Sequence, residues 1–280
     1  MLVEHVGHSV FVPSTGRSKP LKMVVMLHGA GQDAGDFATG TMMNEVAARH
    51  GFVVVYPQQS THANAYGCWN WFDPSHQGRD QGDPARLAAL TVQVASEQGV
   101  APGCIYVAGM SAGGAMACLL GELFPELYSG VGVHSGLASF SAKDLSTALS
   151  SMRGGQRAAT VPSRVPTIVF HGARDTTVAP INGLHVMDAA FGSDCRVRCT
   201  EQIMQDGTRV TRRRYFPDAS RSARGEHWSL HDAAHTWSGG SVAGSFTTSQ
   251  GPSASEEMLR FFESQSARRS ARLCNAAWSV

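Results

Sequence analysis

Gly109-Met110-Ser111-Ala112-Gly113 places a serine between small residues. A serine hydroxyl attacks poorly unless it is held exposed beside a base, and a sharp strand-to-helix turn does that holding. Ile105–Ala108 before it reads as a buried strand, and Gly114 to Leu120 after it reads as a helix. Ser111 is therefore the candidate nucleophile of an acyl-transfer site. On such a turn the acid and then the histidine follow the serine, each after a late strand. The apolar run Thr167–Phe170 leads into His171-Gly172-Ala173-Arg174-Asp175, which puts Asp175 at a strand exit. Asp188, Asp194 and Asp206 fall in a helix, a helix-end loop and a hairpin turn, so Asp175 is the candidate acid.

Three histidines compete as base. His227, His231 and His235 are spaced by four, which also reads as a metal-binding row. The order of parts accounts for a histidine here without a metal, and no metal or cofactor is expected. His227 and His231 lie in a strand-like stretch with Trp228, where satisfied core histidines are the ordinary outcome. His235 lies beyond it, before Trp237-Ser238-Gly239-Gly240, and is the candidate base. The turn His28-Gly29-Ala30-Gly31 follows the apolar run Met23–Leu27. Acyl transfer needs amide N–H groups aimed at a developing oxyanion, and the backbones of Ala30 and Ala112 are the expected donors.

The elements that must position these residues alternate along the chain. Strands are expected at His8–Val12, Met23–Leu27, Phe52–Tyr56, Ile105–Ala108, Val131–His134 and Thr167–Phe170. Helices are expected at Met42–His50, Pro84–Gln98, Ala115–Phe124 and Ile181–Phe191. Buried Val- and Ile-rich runs separated by helices predict an α/β fold, a mostly parallel sheet with helices on both faces. Asp206-Gly207 between Gln202–Gln205 and Thr208–Phe216 predicts a hairpin, followed by a strand at Glu226–His231. Pro252-Ser253 with Glu256 opens a last helix. One catalytic domain is expected over 1–266, with a flexible C-terminal tail over 267–280.

The chain of 280 residues is 42% hydrophobic and 16% charged, with a formal net charge of +1. That is globular composition, and it offers no global field to draw nucleic acid or anionic membrane. No apolar run approaches bilayer-spanning length. The start MLVEHVGHSVFVP has no leader pattern, so a cytoplasmic protein is expected, with secretion the alternative if a leader was trimmed. Cys195-x3-Cys199 has no second ligand pair for zinc; a local disulfide and a set of free thiols fit equally.

With these residues in hand, the chain resembles the poly(3-hydroxybutyrate) depolymerase family of α/β-hydrolase esterases, which has feruloyl and acetylxylan esterase relatives. The markers run from Leu27-His28-Gly29 through Gly67-Cys68-Trp69-Asn70-Trp71-Phe72 and Gly109-Met110-Ser111-Ala112-Gly113-Gly114. They continue with Val131-Gly132-Val133-His134-Ser135-Gly136, His171-Gly172-Ala173-Arg174-Asp175 and His235-Thr236-Trp237-Ser238-Gly239-Gly240. The resemblance implies the triad Ser111, Asp175 and His235 and hydrolysis of an aliphatic polyester or hydroxyalkanoate oligomers. Feruloyl or acetyl esters of plant polysaccharide are the alternative. A non-catalytic binding protein on this fold would need a broken triad, and all the parts are here. The family often has cysteine in place of Ala30, able to pair with the one matching Cys68. Trp69, Asn70, Trp71 and Trp237 are expected to line the substrate cleft, since aromatic walls bury apolar chains and a placed amide orients them.

Overall fold

The computed structural model describes residues 7–14, 21–154, 162–163, 165–192, 195–217 and 222–276, with side chains through Gln265. The strands are β1 (Gly7–Phe11), β2 (Lys22–Leu27), β3 (Phe52–Gln58), β4 (Ile105–Met110), β5 (Val131–His134), β6 (Thr167–Gly172), β7 (Arg196–Ile203), β8 (Arg209–Phe216) and β9 (Gly225–Leu230). They form one sheet in the order β1-β3-β2-β4-β5-β6-β9-β8-β7. The span from β3 through β9 is parallel, while β1 and the β7–β8 hairpin add antiparallel edges. The helices are α1 (Ala34–Thr41), α2 (Met43–His50), α3 (Gly82–Gln98), α4 (Ala112–Leu123), α5 (Leu145–Met152), α6 (Ile181–Phe191) and α7 (Ala254–Ala276).

Both faces of the sheet are covered, which is why its central strands read as unbroken apolar runs. In β2, Met23, Val25 and Leu27 join one core, while Val24 and Met26 join the other. Two helices lack a clear apolar period and emerge only in the structure. α1 starts at Asp33, whose carboxylate accepts from the Asp36 amide, and α5 starts with a reciprocal cap between Asp144 and Thr147. α7 is helical across 267–276, into the stretch expected to be a tail; its side chains there, Cys274 included, and residues 277–280 lie outside the described residues.

Cys199 lies within β7, four positions after Cys195. Extended chain separates such Cα atoms by about 13 Å, well beyond the roughly 7 Å limit for a disulfide. Of the two readings left open, unbridged thiols hold: Cys195 and Cys199 form no disulfide, and neither do Cys68, Cys104 and Cys118.

The chain reverses its lateral direction around β2, running to β3 on one side and then to β4 on the other. Such a switch opens a crevice at the carboxyl ends of the strands. The turn after β2 and the serine after β4 both lie there.

Candidate active site

Ser111 links β4 directly to α4 and is half-buried, with φ 55° and ψ −119°. A non-glycine residue in that region is strained and persists only where its surroundings hold it. Part of the hold is the Ser111 N–H, which donates to the His134 carbonyl at 2.9 Å. The rest is close packing: a Cβ on Gly113 would lie 2.1 Å from the Leu27 carbonyl oxygen and 2.5 Å from that of His28. Only glycine lets α4 approach the end of β2 this closely.

The turn after β2 leaves one amide unspent. The Gly29 N–H donates to Gln32 Oε1 at 2.9 Å, the Gly31 N–H to the Tyr66 carbonyl at 3.0 Å, and the Gln32 N–H to Gly29 at 3.2 Å. The Ala30 N–H makes no hydrogen bond among the described residues, and Ala30 is exposed. Ala112 is the first residue of α4, where an N–H has no carbonyl one turn back. Both amides are therefore available to a ligand.

Asp175 is buried just past β6, and its Oδ1 accepts from the amides of Thr177 (2.9 Å) and Val178 (2.8 Å). Its Oδ2 accepts from His235 Nδ1 at 2.7 Å, with His171 Nε2 3.5 Å away. Burial opposes the charge, but the His235 hydrogen bond and charge and the Val178 amide outweigh it, so the carboxyl titrates below its ordinary range. With Nδ1 committed to the carboxylate, His235 Nε2 makes no hydrogen bond among the described residues. The other two histidines of the row go elsewhere. His231 bonds Thr211 at 2.7 Å. His227 is buried with neither ring nitrogen hydrogen-bonded among the described residues, unlike the satisfied core histidine expected there. No cluster of three metal-ligating side chains forms among the described residues.

The four residues expected to line the cleft are placed differently. Trp69, Trp71 and Trp237 are 1%, 4% and 0% exposed, and Asn70 is buried too. Trp69 donates its indole N–H to the His28 carbonyl at 3.1 Å and packs against the His28 ring. Trp237 packs edge-on to Phe37 and stacks on His134. The segment from Gly67 to Phe72 is not a strand, so both tryptophans turn into the core, where large apolar rings bury most area. These side chains pack beneath the turn after β2 and the loop after β9.

Their anchor, Asp83, escaped the sequence reading. It is 1% exposed and its Oδ2 accepts from the Asn70 amide (2.9 Å), Asn70 Nδ2 (3.3 Å) and Gln59 Nε2 (2.9 Å), while Arg86 binds Oδ1. Burial opposes its charge, yet His76, the Asn70 amide and Arg86 bring its pKa down to about 2. An unfolded aspartate titrates near 3.9, so the folded state holds this proton less tightly and is favoured above about pH 4. That contribution, about 2 kcal/mol, should be lost as pH falls from about 4 to about 2. Urea denaturation of wild type and Asp83→Asn should show a stability gap that narrows across this window; a constant gap would refute the assignment.

Gln32 also had no signal in the sequence. While Oε1 holds the Gly29 amide, Nε2 donates to the Ser245 carbonyl and to Asp36, each at 3.0 Å. It ties the turn after β2 to the loop that follows His235. Two open aromatics lie beside these segments: Tyr66, 81% exposed, in the loop after β3, whose carbonyl accepts from the Gly31 amide, and Phe246, 51% exposed, whose carbonyl accepts from the Trp237 amide.

A mostly parallel sheet, a strained serine between β4 and α4, and a buried aspartate–histidine pair beyond later strands define the α/β-hydrolase fold. Residues 6–191 match the esterase PHB depolymerase family, and the chain belongs to it. It is 31% identical over 188 residues to poly(3-hydroxyalkanoate) depolymerase C of Paucimonas lemoignei, covering 61% of this chain and 44% of that one. It is 29% identical over 129 residues to feruloyl esterase B of Neurospora crassa, covering 46% and 43%. The chain thus spans about half or less of these curated relatives. Among solved structures, acetyl xylan esterase from Aspergillus awamori superposes with a TM-score of 0.65 at 18% identity, covering 82% of this chain and 89% of that one, a likeness of fold. Among the described residues no helix is long and apolar enough to cross a membrane.

Proposed function

We propose that this chain hydrolyses carboxylic esters through a covalent acyl-enzyme on Ser111. The observation that carries the reading is the 2.7 Å contact of His235 Nδ1 with buried Asp175, at the carboxyl ends of the strands where the strained Ser111 turn stands. In the first step Ser111 Oγ bonds to the ester carbonyl carbon while its proton passes to His235 Nε2. Asp175 holds the ring in the tautomer that accepts there and stabilises the imidazolium that forms. The amides of Ala30 and Ala112 stabilise the oxyanion. Collapse breaks the carbon–oxygen bond, and His235 returns the proton to the departing alkoxide. Water then attacks the acyl carbon, its proton taken by His235, and Ser111 leaves as the free hydroxyl. No step needs a metal or a cofactor.

The preferred substrate class is aliphatic hydroxyalkanoate ester, in keeping with the Paucimonas lemoignei relative. The feruloyl esterase relative favours a second reading, esters of plant polysaccharide. Tyr66 and Phe246, rather than the buried tryptophans, are the aromatic groups open to a substrate. Initial rates across p-nitrophenyl esters, hydroxybutyrate trimer, methyl ferulate and acetylated xylan test both readings. Fastest turnover is expected on the trimer and short-chain esters. A clear preference for ferulate or acetylated xylan would replace the substrate reading, and inertness toward every ester would end the hydrolase reading itself.

A further inference from the structure

The triad comes from three separated places: the end of β4, the turn after β6, and the loop after β9. The strand between β4 and β6 is β5, and its last residue is His134, opposite Met110 on one side and Phe170 on the other. Nothing in the proposed reaction uses this histidine, yet it is 0% exposed and touches the first and third of these places and the strand β6 that leads to the second.

Its carbonyl accepts the Ser111 N–H at 2.9 Å. Its ring stacks on Phe170 of β6, centroids 5.9 Å apart, and on Trp237 of the base loop, 5.1 Å apart. Ring Nε2 accepts the backbone N–H of Ser238, three residues past His235, at 3.2 Å. Because Nε2 receives a proton donor, the ring hydrogen belongs on Nδ1, which lies 3.2 Å from Ser135 Oγ and donates there. Complete burial, with His171 and His235 nearby, pushes its pKa down to about 3, so the ring stays a neutral acceptor near neutral pH. A cation here would also repel the imidazolium that His235 must become.

We infer that His134 is a positioning residue that sets the Ser111–His235 spacing, holding the nucleophile through its carbonyl and the base loop through Nε2. This role rests on the proposed reaction. The backbone half survives any substitution, so the side chain's part can be isolated. A glutamine amide reaches about where Nε2 stands and can accept from Ser238, whereas leucine fills similar space with no acceptor.

The test compares His134→Gln, His134→Leu and Ser111→Ala by kcat, KM and thermal melting on a p-nitrophenyl ester. His134→Gln should keep kcat within about threefold, while His134→Leu should lose on the order of 10^2-fold in kcat at nearly unchanged KM, the cost of about 1 Å of misplacement. If the leucine variant does not fold, His134→Asn takes its place, since its shorter amide stops short of Ser238. A purely structural role would track melting temperature and would not separate acceptor from non-acceptor at equal stability. Equal kcat in the two side-chain variants, or a loss carried by KM, overturns the role while an inactive Ser111→Ala leaves the proposed reaction standing. An active Ser111→Ala overturns both.

Discussion

Ser111→Ala and His235→Ala should each lower kcat on soluble esters by on the order of 10^6-fold, and Asp175→Ala by about 10^4-fold. The difference has a physical cause. Without the hydroxyl or the imidazole there is no nucleophile or no base, whereas without the carboxylate the imidazole remains but loses its fixed tautomer and its counter-charge. Asp175→Ala should also leave the amides of Thr177 and Val178 without their side-chain acceptor, so its melting temperature should fall more than that of Ser111→Ala. His231→Ala is the internal comparison. Its ring bonds Thr211 and not Asp175, so turnover should stay within a few-fold of wild type. Comparable losses from His231→Ala and His235→Ala in folded protein would mean that the base has been misassigned.

The second large effect is on folding. Gly113→Ala would press a methyl group against two carbonyl oxygens at 2.1 and 2.5 Å, both backbone atoms at the end of β2 that cannot rotate away. Relief requires α4 to move off the sheet, which separates buried Ala112, Ala115 and Met116 from their neighbours and displaces Ser111. A loss of at least about 3 kcal/mol is expected, at or above the upper end of ordinary overpacking. Chemical denaturation beside Gly35→Ala supplies the scale. Gly35 is exposed on α1, where a new Cβ would meet only the Asp33 carboxylate at 3.3 Å. That variant should stay within about 1 kcal/mol of wild type, the ordinary helix-propensity range. If Gly113→Ala were equally mild, close approach would not be the reason for glycine in this turn.

The sheet and the triad candidates were legible in the sequence because their signals are local. A strand buried on both faces shows as an unbroken apolar run, and a serine turn shows as small residues on either side of the serine. Asp175 and His235 followed from chain order and from lying just past strands, and the structure brings them to 2.7 Å. α1 and α5 were missed because, unlike the equally short α2, their apolar residues mark no clear helical face, and their caps are what define them.

What the chain alone did not determine was which large and polar side chains face inward. Tryptophan is equally at home in a cleft wall and in a core. Trp69 and Trp237 are core because the chain curls away from extended form at one and returns beneath His134 at the other. Tyr66 and Phe246, with no distinguishing pattern, are left in the open. The residues that brace the site were silent for a related reason. Asp83 meets Asn70 across 13 residues, His134 meets Ser238 across 104, and Gln32 meets Ser245 across 213. No periodicity or spacing rule spans such separations. A hydrogen bond between distant residues exists only once the sheet has ordered its strands, so tertiary structure alone decided which polar groups tie together the segments around Ser111 and His235.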